Sequence, residues 1–180
     1  MRKIEGREHP ALRAIAEEIP LDEIGSSRMR TLIAEMKKLL AKEEYGVALA
    51  APQVGESVRL FIVAGSAVVK REKASAKRGI TESETAHAPE KDQVYINPVL
   101  SKLSRGKKDK HEGCLSVRGK WGMVPRADKA TITAYDEHGI KFTRGASGLL
   151  AHIFQHEMDH LDGVLYIDKA TELYDEEPKK

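Results

Sequence analysis

The segment His156-Glu157-Met158-Asp159-His160 constrains this chain of 180 residues more than any other feature. Histidines four residues apart lie on one face of an α-helix, so two imidazole nitrogens can bind one metal ion. Glu157 would lie beside such an ion, where a carboxylate can accept a proton from water. The neighbouring apolar residues are Leu149, Leu150, Ile153, Phe154 and Leu161. We therefore predict a buried helix with Ser147 as its cap, ended by Gly163, that carries a metal site.

A catalytic metal site usually has three protein ligands and one open position, so the two histidines leave one ligand to be found. No histidine follows His160, which excludes the extended metalloprotease pattern with a third downstream histidine. The candidates are Asp162, Asp168, Glu172 and Cys114. Spacing alone does not choose between them. A lone cysteine is most often a small buried hydrophobic residue, which weighs against Cys114.

Composition limits the broad class of the protein. A chain of this length suits one domain with one sizeable core, so we predict a single domain over residues 1–180. A net charge of +2 gives no general argument for nucleic-acid binding. The N-terminus has no apolar signal segment, and no apolar run reaches the roughly 20 residues of a membrane helix, so we expect a cytoplasmic protein without a membrane partner.

Periodicity predicts a short helix over 10–18 and an amphipathic helix from Ser26 or Ser27 to about Glu44. A basic turn is predicted over 105–110, a hairpin turn over 136–139, and a polar surface insertion over about 65–92. The predicted strands are 58–64, 94–103, 112–117, 123–125, 129–135 and 140–143. Successive strands with separate helices favour an α+β fold over alternating βαβ units.

Three ordered motifs resemble those of the peptide deformylase family. They are Gly46-Val47-Ala48-Leu49-Ala50-Ala51-Pro52-Gln53-Val54-Gly55, Glu112-Gly113-Cys114-Leu115-Ser116 and Gln155-His156-Glu157-Met158-Asp159-His160-Leu161. The segments at 9–13 and 96–98 also match the habit of the family. The resemblance implies antiparallel β-sheets packed around a central helix that carries the His-Glu-x-x-His motif. It also implies hydrolysis of the N-formyl group from the N-terminal formylmethionine of newly made polypeptides, with release of formate.

The resemblance implies a role for each motif residue. Cys114, His156 and His160 would bind one divalent metal ion per chain, natively Fe(II), with Zn, Ni or Co as alternatives. Metal-bound water would be the nucleophile, and Glu157 the general base and then the acid. Gln53 and the backbone N–H of Leu115 would stabilise the oxyanion. The implied substrate-binding residues are Gly46, Val47, Ala48, Leu149, His152 and Ile153.

The chemistry of a formamide independently supports each of these roles. Its carbonyl is a poor electrophile, which a metal ion activates while it generates hydroxide near neutral pH. A carboxylate can move the proton from the water to the leaving amine, and preorganised N–H donors stabilise the tetrahedral oxyanion. The expected partners are N-formylmethionyl nascent peptides, with transient contact to the ribosome, in a bacterial cytoplasm.

Four departures from the family pattern concern substrate preference and rate. Ala48 replaces a usual glycine, Arg118 a common proline, and Trp121 a residue that is often arginine or polar. The insertion over about 65–92 is longer than in many members. His152 shares the metal-facing side of its helix, where we expect a pocket-rim role or contact with a ligand residue. We place the remaining histidines on the surface: His9, His87, His111 and His138.

Two alternatives stay open at this point. Another metallohydrolase, such as a peptidase, could use the same helix, would cleave an internal peptide bond and would not need Cys114. An inactive paralogue could serve as a metal-binding or ribosome-associated module, an idea that Ala48 motivates. Glu157 and Gln53 argue against this module, because a structural metal site requires neither residue.

Overall fold

The structure, a computed structural model, describes residues 2–67 and 91–175. Helix α1 spans Ser27–Leu40, and the Oγ of its N-cap Ser26 accepts a hydrogen bond from the Met29 amide at 3.2 Å. Helix α2 spans Gly148–Leu161 and carries the His-Glu-x-x-His motif. Four short 3-10 helices lie over Pro10–Leu12, Leu21–Glu23, Ala51–Val54 and Tyr166–Asp168.

The described residues also form two antiparallel sheets, which confirms the α+β prediction. Five strands form the larger sheet in the order β1-β2-β3-β6-β7: Ala48–Ala50 (β1), Leu60–Val63 (β2), Gln93–Ser101 (β3), Lys129–Tyr135 (β6) and Lys141–Ser147 (β7). Three strands form the smaller sheet in the order β4-β5-β8: Lys107–Cys114 (β4), Val117–Ala127 (β5) and Glu172–Asp175 (β8).

The larger sheet lies between the two helices. Strand β2 is buried on both faces, with Phe61 and Val63 in the core beneath α2 and Leu60 and Ile62 in the core beneath α1. This explains its uninterrupted apolar sequence, since a strand covered on both sides has no polar face. Strand β1 therefore pairs with a fully buried strand, β2, and one face of α2 packs on the same strand.

Aromatic rings pack α2 onto that sheet. The rings of Phe61 and Tyr95 stack with centroids 4.6 Å apart, and Phe154 of α2 meets Tyr95 edge-on at 5.2 Å. Such pairs stabilise a core by about 0.5–1.5 kcal/mol each beyond the area they bury. The opposite face of α2 is thereby directed away from the sheet, with its histidines towards β4 and β5.

The helix predicted over 10–18 is wrong beyond Leu12. Only Pro10–Leu12 form a 3-10 turn, and the following backbone bonds to distant segments. The Ala16 amide donates to Leu161 O at 2.8 Å, and the Glu17 amide donates to Ser57 O at 2.9 Å. Because these donors serve tertiary contacts, they are not available to a helix. The amphipathic helix also ends at Leu40, before the predicted Glu44.

One turn prediction and one strand prediction in the smaller sheet are also wrong. The predicted basic turn over 105–110 includes the start of β4, where Lys107 pairs with Ala127 of β5. The strand predicted over 112–117 is interrupted, because the chain turns between Cys114 and Val117 to form a hairpin. The segment 123–125 is part of the longer strand β5, and β8 was not predicted.

Several sequence predictions fall on other residues. Most of the proposed insertion over 65–92, and His87 within it, lie outside the described residues. In the larger sheet, β6 has the predicted bounds, while β7 extends beyond the predicted 143 to Ser147. None of the helices in residues 2–67 and 91–175 combines the length and apolar character that a membrane crossing needs.

Candidate metal centre

Cys114, His156 and His160 form a cluster between the smaller sheet and α2. Their ligand atoms all lie within 4.8 Å of one another, and His160 Nε2 is 3.2 Å from Cys114 Sγ. Helical spacing brings the two histidines together, with ring centroids 5.0 Å apart. The cysteine comes from the end of β4, just after an irregularity in its pairing with β5.

The other three candidates for a third ligand lie elsewhere. Asp162 accepts from Arg59 at 2.9 Å, and Glu172 is exposed in β8. Asp168 pairs with Arg13 and accepts from the Leu165 amide at 2.8 Å. The structure therefore groups Cys114 with the two histidines and places each of these acidic residues in another environment.

Electrostatics favour an ionised thiol at Cys114. Burial raises its pKa, but the charges and hydrogen bonds of His160 and His156 outweigh burial and hold the pKa well below its ordinary value. For His156, burial lowers the pKa, while hydrogen bonds to Cys114 and Glu112 raise it well above its ordinary value. A thiolate is the form of cysteine that binds metals.

Glu112 is a buried carboxylate whose two oxygens bond two histidines of α2, His152 and the candidate ligand His156. Its Oε1 lies 2.7 Å from His152 Nε2, and its Oε2 lies 2.8 Å from His156 Nδ1. Arg126 bonds both oxygens, at 2.6 and 3.0 Å. Burial raises the pKa of Glu112, but hydrogen bonds from His152, His156 and Arg126 prevail and keep it well below its ordinary value. Because an ionised carboxylate only accepts, the Nδ1 of His156 carries a proton, so a metal ion would bind this ring through Nε2.

Glu157 is buried beside the cluster. Only 3% of the residue is exposed, and its Oε2 has no hydrogen-bond partner within the described part of the chain. Burial raises the pKa of Glu157 to about 7. A buried carboxylate without a protein partner, next to a cavity, is suited to exchange protons with a small molecule there.

Gln53 reaches the same place from the 3-10 turn Ala51–Val54. Its Oε1 accepts the backbone N–H of Ala50 at 2.9 Å, which fixes the orientation of the amide. The Nε2 then lies 3.4 Å from Cys114 Sγ and 3.3 Å from Ser116 Oγ. A buried amide held in this way is a preorganised hydrogen-bond donor at the cluster.

A cavity of about 490 Å³ opens onto the cluster. It is lined by Cys114, His156, Glu157, Gln53 and Leu115, and by every residue assigned to substrate by resemblance: Gly46, Val47, Ala48, Leu149, His152 and Ile153. His160 is buried behind this surface, with 1% exposed. Strand β1 pairs with β2 on one side and is the edge of the described sheet, so its other side faces the cavity.

The chain matches a known protein family over most of its length. The model of the family described as polypeptide deformylase matches residues 1–176. The chain belongs to the polypeptide deformylase family. Both the motif resemblance and the fold class expected from the sequence are thereby confirmed.

Among curated relatives in this family, a chloroplastic/mitochondrial peptide deformylase 1A of Arabidopsis thaliana is 39% identical over 164 residues, which are 90% of this chain and 58% of the relative. A peptide deformylase of Pelodictyon phaeoclathratiforme is 40% identical over 143 residues, which are 79% of this chain and 66% of the relative. The chain thus spans less than two thirds of the length of these relatives. They include organellar and bacterial forms.

Solved deformylase structures share the fold. Peptide deformylase 1B of Arabidopsis thaliana, in complex with an inhibitor, has a TM-score of 0.75 at 32% identity and covers 94% of this chain and 82% of its own. A class I type b peptide deformylase of Acinetobacter baumannii, with Met-Ala-Ser bound, has a TM-score of 0.75 at 27% identity, with coverage of 94% and 98%.

Three of the four departures of this chain from the family pattern line the cavity. Ala48 is buried in β1 and lines the cavity, Arg118 pairs with Glu43 at 2.9 Å, and Trp121 forms part of the wall. Trp121 packs closely on Gly113, where an added Cβ would lie 3.0 Å from its ring. Sequence reasoning missed Tyr45 in the wall and gave no role to Glu112, although Glu112 begins the motif that contains Cys114.

Proposed function

We propose that this protein is a metal-dependent peptide deformylase that hydrolyses the N-formyl group of formylmethionyl polypeptides and releases formate. The observation that carries the proposal is the convergence of Cys114, His156 and His160 beside a cavity that Glu157 and Gln53 line. Family membership supports the reaction class, and the two motif residues beyond the ligands support an active enzyme over a binding module.

The donor set fits a divalent transition-metal ion. Ligand bonds of about 2.0–2.3 Å in a tetrahedron separate the donor atoms by about 3.5 Å, close to the 3.2 Å between His160 Nε2 and Cys114 Sγ. Three protein donors leave one position open, as in catalytic sites. A thiolate with two imidazoles suits Fe(II), Zn, Ni or Co better than Mg or Ca, and we propose Fe(II) as the native ion.

When bound, such an ion would supply Lewis acidity, which polarises the formyl carbonyl and makes water more acidic near neutral pH. Glu157 would accept the proton of the attacking water and return it to the leaving amine. Its burial and the absence of a hydrogen-bond partner for Oε2 among the described residues support this exchange. The Gln53 amide, joined by the Leu115 N–H, donates to the oxyanion that develops on the formyl oxygen.

The polypeptide would bind along the edge of β1. Gly46, Val47 and Ala48 line the cavity at the edge of the sheet formed by the described residues, where an extended peptide can add as a further strand. Leu149, His152 and Ile153 form a partly apolar wall suited to a methionine side chain. The Acinetobacter baumannii neighbour was solved with Met-Ala-Ser, the peptide that deformylation of formyl-Met-Ala-Ser would leave.

The deciding experiment measures formate release from formyl-Met-Ala-Ser by protein purified anaerobically and loaded with Fe(II) or Ni(II). We expect turnover that disappears on chelation and in Glu157→Gln, which keeps the shape of the side chain without its basicity. The N-acetyl peptide serves as the control substrate and should stay intact.

Three outcomes separate the alternatives. Formate release that requires both metal and Glu157 supports the deformylase. Cleavage of an internal peptide bond without formate release supports a metallopeptidase. No turnover from a folded, fully metallated protein refutes the proposed activity and supports the inactive module, and recovery of turnover in Ala48→Gly would then identify the cause.

A further inference from the structure

A series of charged side chains in contact connects the candidate metal ligand His156 to the far side of α2. Glu112 bonds His156, Arg126 bonds Glu112 through two nitrogens, and Arg126 Nη1 donates to Asp159 Oδ2 at 2.7 Å. Lys169 is the last member of the series, and its Nζ donates to Asp159 Oδ1 at 2.6 Å. Negative and positive groups alternate, so each buried charge has a partner of opposite sign.

Among the described residues, the series forms a hydrogen bond with only one of the two candidate histidine ligands. His156 Nδ1 is held by Glu112, whereas His160 Nδ1 is buried with no hydrogen-bond partner in residues 2–67 and 91–175. The orientation and tautomer of the His156 ring therefore depend on the placement of Glu112. A carboxylate behind a metal-binding histidine typically strengthens metal affinity by about 10–100-fold.

Glu112 in turn depends on Arg126. The carboxylate side chain is 1% exposed and the guanidinium 5% exposed, so neither charge is screened by water. Each Glu112 oxygen already forms a hydrogen bond with a histidine. Arg126 supplies the positive charge that the buried carboxylate requires. Arg126 Nη1, the guanidinium nitrogen that does not bond Glu112, donates to Asp159. This bond prevents the guanidinium fork, formed by Nε and Nη2, from rotating away from Glu112.

We propose that Arg126 and Asp159 are positioning residues for the metal centre, acting on His156 through Glu112. The inference rests on the proposed metal site and extends it to residues that touch neither metal nor substrate. His152 is part of the same hydrogen-bonded series, because it bonds the other Glu112 oxygen, and it also lines the substrate cavity. The placement of Glu112 therefore couples the wall of the cavity to a metal ligand.

The far end of the series is separate from the proposed substrate cavity. Arg126, Asp159 and Lys169 line a different cavity, of about 720 Å³, on the opposite face of α2. The helix residues facing it are Gln155, Met158, Asp159 and Asp162, whereas Leu149, His152, Ile153, His156 and Glu157 face the substrate cavity. A substitution at Asp159 thus changes the support of the metal ligand without altering the substrate wall.

Asp162 provides a matched control for Asp159. It lines the same cavity, follows within one helical turn and is also ion-paired, at 2.9 Å to Arg59. Arg59, unlike Arg126, makes no bond to Glu112 among the described contacts. Asp159→Asn and Asp162→Asn therefore remove the same charge from the same cavity, and only the first disturbs the series that ends on His156.

The experiment measures Zn(II) affinity of the full chain by competition with a chromophoric chelator. We expect about a tenfold loss in Asp159→Asn, a loss approaching 100-fold in Glu112→Gln, and less than about a twofold change in Asp162→Asn. Arg126→Lys, which keeps the charge but loses the fork, should resemble Asp159→Asn. In the Zn(II)-loaded protein, the NMR resonance of the His156 Nδ1 proton should shift in Asp159→Asn and not in Asp162→Asn.

Unfolding of each variant in chelator separates positioning from folding, since it measures stability without the metal. Unchanged Zn(II) affinity in both Asp159→Asn and Arg126→Lys would overturn the proposal, as would an equal loss in Asp162→Asn. The result is independent of turnover: if affinity changes as expected but no formate is released, the proposed activity fails and the positioning role stands.

Discussion

The side-chain nitrogen of Gln53 lies 3.4 Å from the Sγ of Cys114. The side-chain oxygen of the same amide accepts a hydrogen bond from the Ala50 backbone N–H at 2.9 Å. The 3-10 turn that supplies Gln53 and the hairpin that supplies Cys114 thus meet at the point where we expect the formyl oxygen. The bond to Ala50 determines which end of the amide faces the cluster, so the donor is oriented before any substrate binds.

We expect Gln53→Met to lower kcat by about 100–1,000-fold, because it removes an oxyanion donor while keeping an unbranched side chain. Metal content should stay at the wild-type level, since Gln53 is not a ligand. Steady-state kinetics with formyl-Met-Ala-Ser and metal analysis of the same preparation test both statements. Ser116→Ala is the control, because Ser116 contacts the same amide nitrogen at 3.3 Å and its loss leaves the donor in place. An equal loss in Ser116→Ala would assign the effect to packing.

Cys114→Ser should lose most bound metal and most activity. A neutral hydroxyl replaces a thiol whose histidine neighbours hold its pKa well below the ordinary value, and a hydroxyl is a poor ligand for Fe(II) or Zn. Asp168→Asn is the comparison, since Asp168 was a candidate ligand from the sequence and lies with Arg13 in the structure. Metal analysis of both variants after dialysis is sufficient. Full occupancy in Cys114→Ser would refute the proposed ligand set.

The two histidines and the third ligand differ in how far they could be predicted. His156 and His160 meet through the geometry of one helix, which the spacing in the sequence already contains. Cys114 lies 42 positions before His156 and reaches it only because β4 and β5 pair and the chain turns after Cys114. Local patterns do not encode such a contact, so the family resemblance was needed to prefer Cys114. The role of Glu112 was missed for the same reason.

The fold follows a similar rule. Helix α1 was predicted because five buried residues recur at helical steps, and its predicted end was too late because that apolar pattern stops at Leu40. Strand β4 was missed at its start because its charged residues face solvent and show no alternation of apolar and polar character. Residues after Leu12 were assigned to a helix, although their amides bond to Leu161 and Ser57. For β4 and for the residues after Leu12, the missing information was a distant partner.

Asp168 should stabilise the fold in a pH-dependent manner. Burial raises its pKa, but hydrogen bonds from Arg13 and the Leu165 amide outweigh this and hold the pKa below its ordinary value. A carboxylate with a lowered folded pKa stabilises the protein above its unfolded pKa of about 3.9 and loses this effect as the pH falls through the folded pKa. We therefore expect Asp168→Asn to lower the Tm at neutral pH, with the difference from wild type shrinking towards about pH 3. Equal Tm differences at both pH values, measured by calorimetry in chelator, would contradict the assignment.

Gly163 ends α2 where the chain passes close to the N-terminal segment, and three glycines separate the reasons for its presence. Gly163 has φ +73, and an added Cβ would lie 2.9 Å from the backbone oxygen of Arg13. Gly139 has a similar φ of +79 with its nearest neighbour at 4.0 Å, and Gly106 has open space and no positive φ. We expect Gly106→Ala to change the free energy of unfolding by less than about 0.5 kcal/mol, and Gly139→Ala to cost about 1–2 kcal/mol for backbone strain alone. Gly163→Ala should cost clearly more than Gly139→Ala, because backbone must move as well, and denaturant unfolding of the three variants measures the difference. If Gly163→Ala and Gly139→Ala were equally destabilising, the close approach to Arg13 would have no energetic weight.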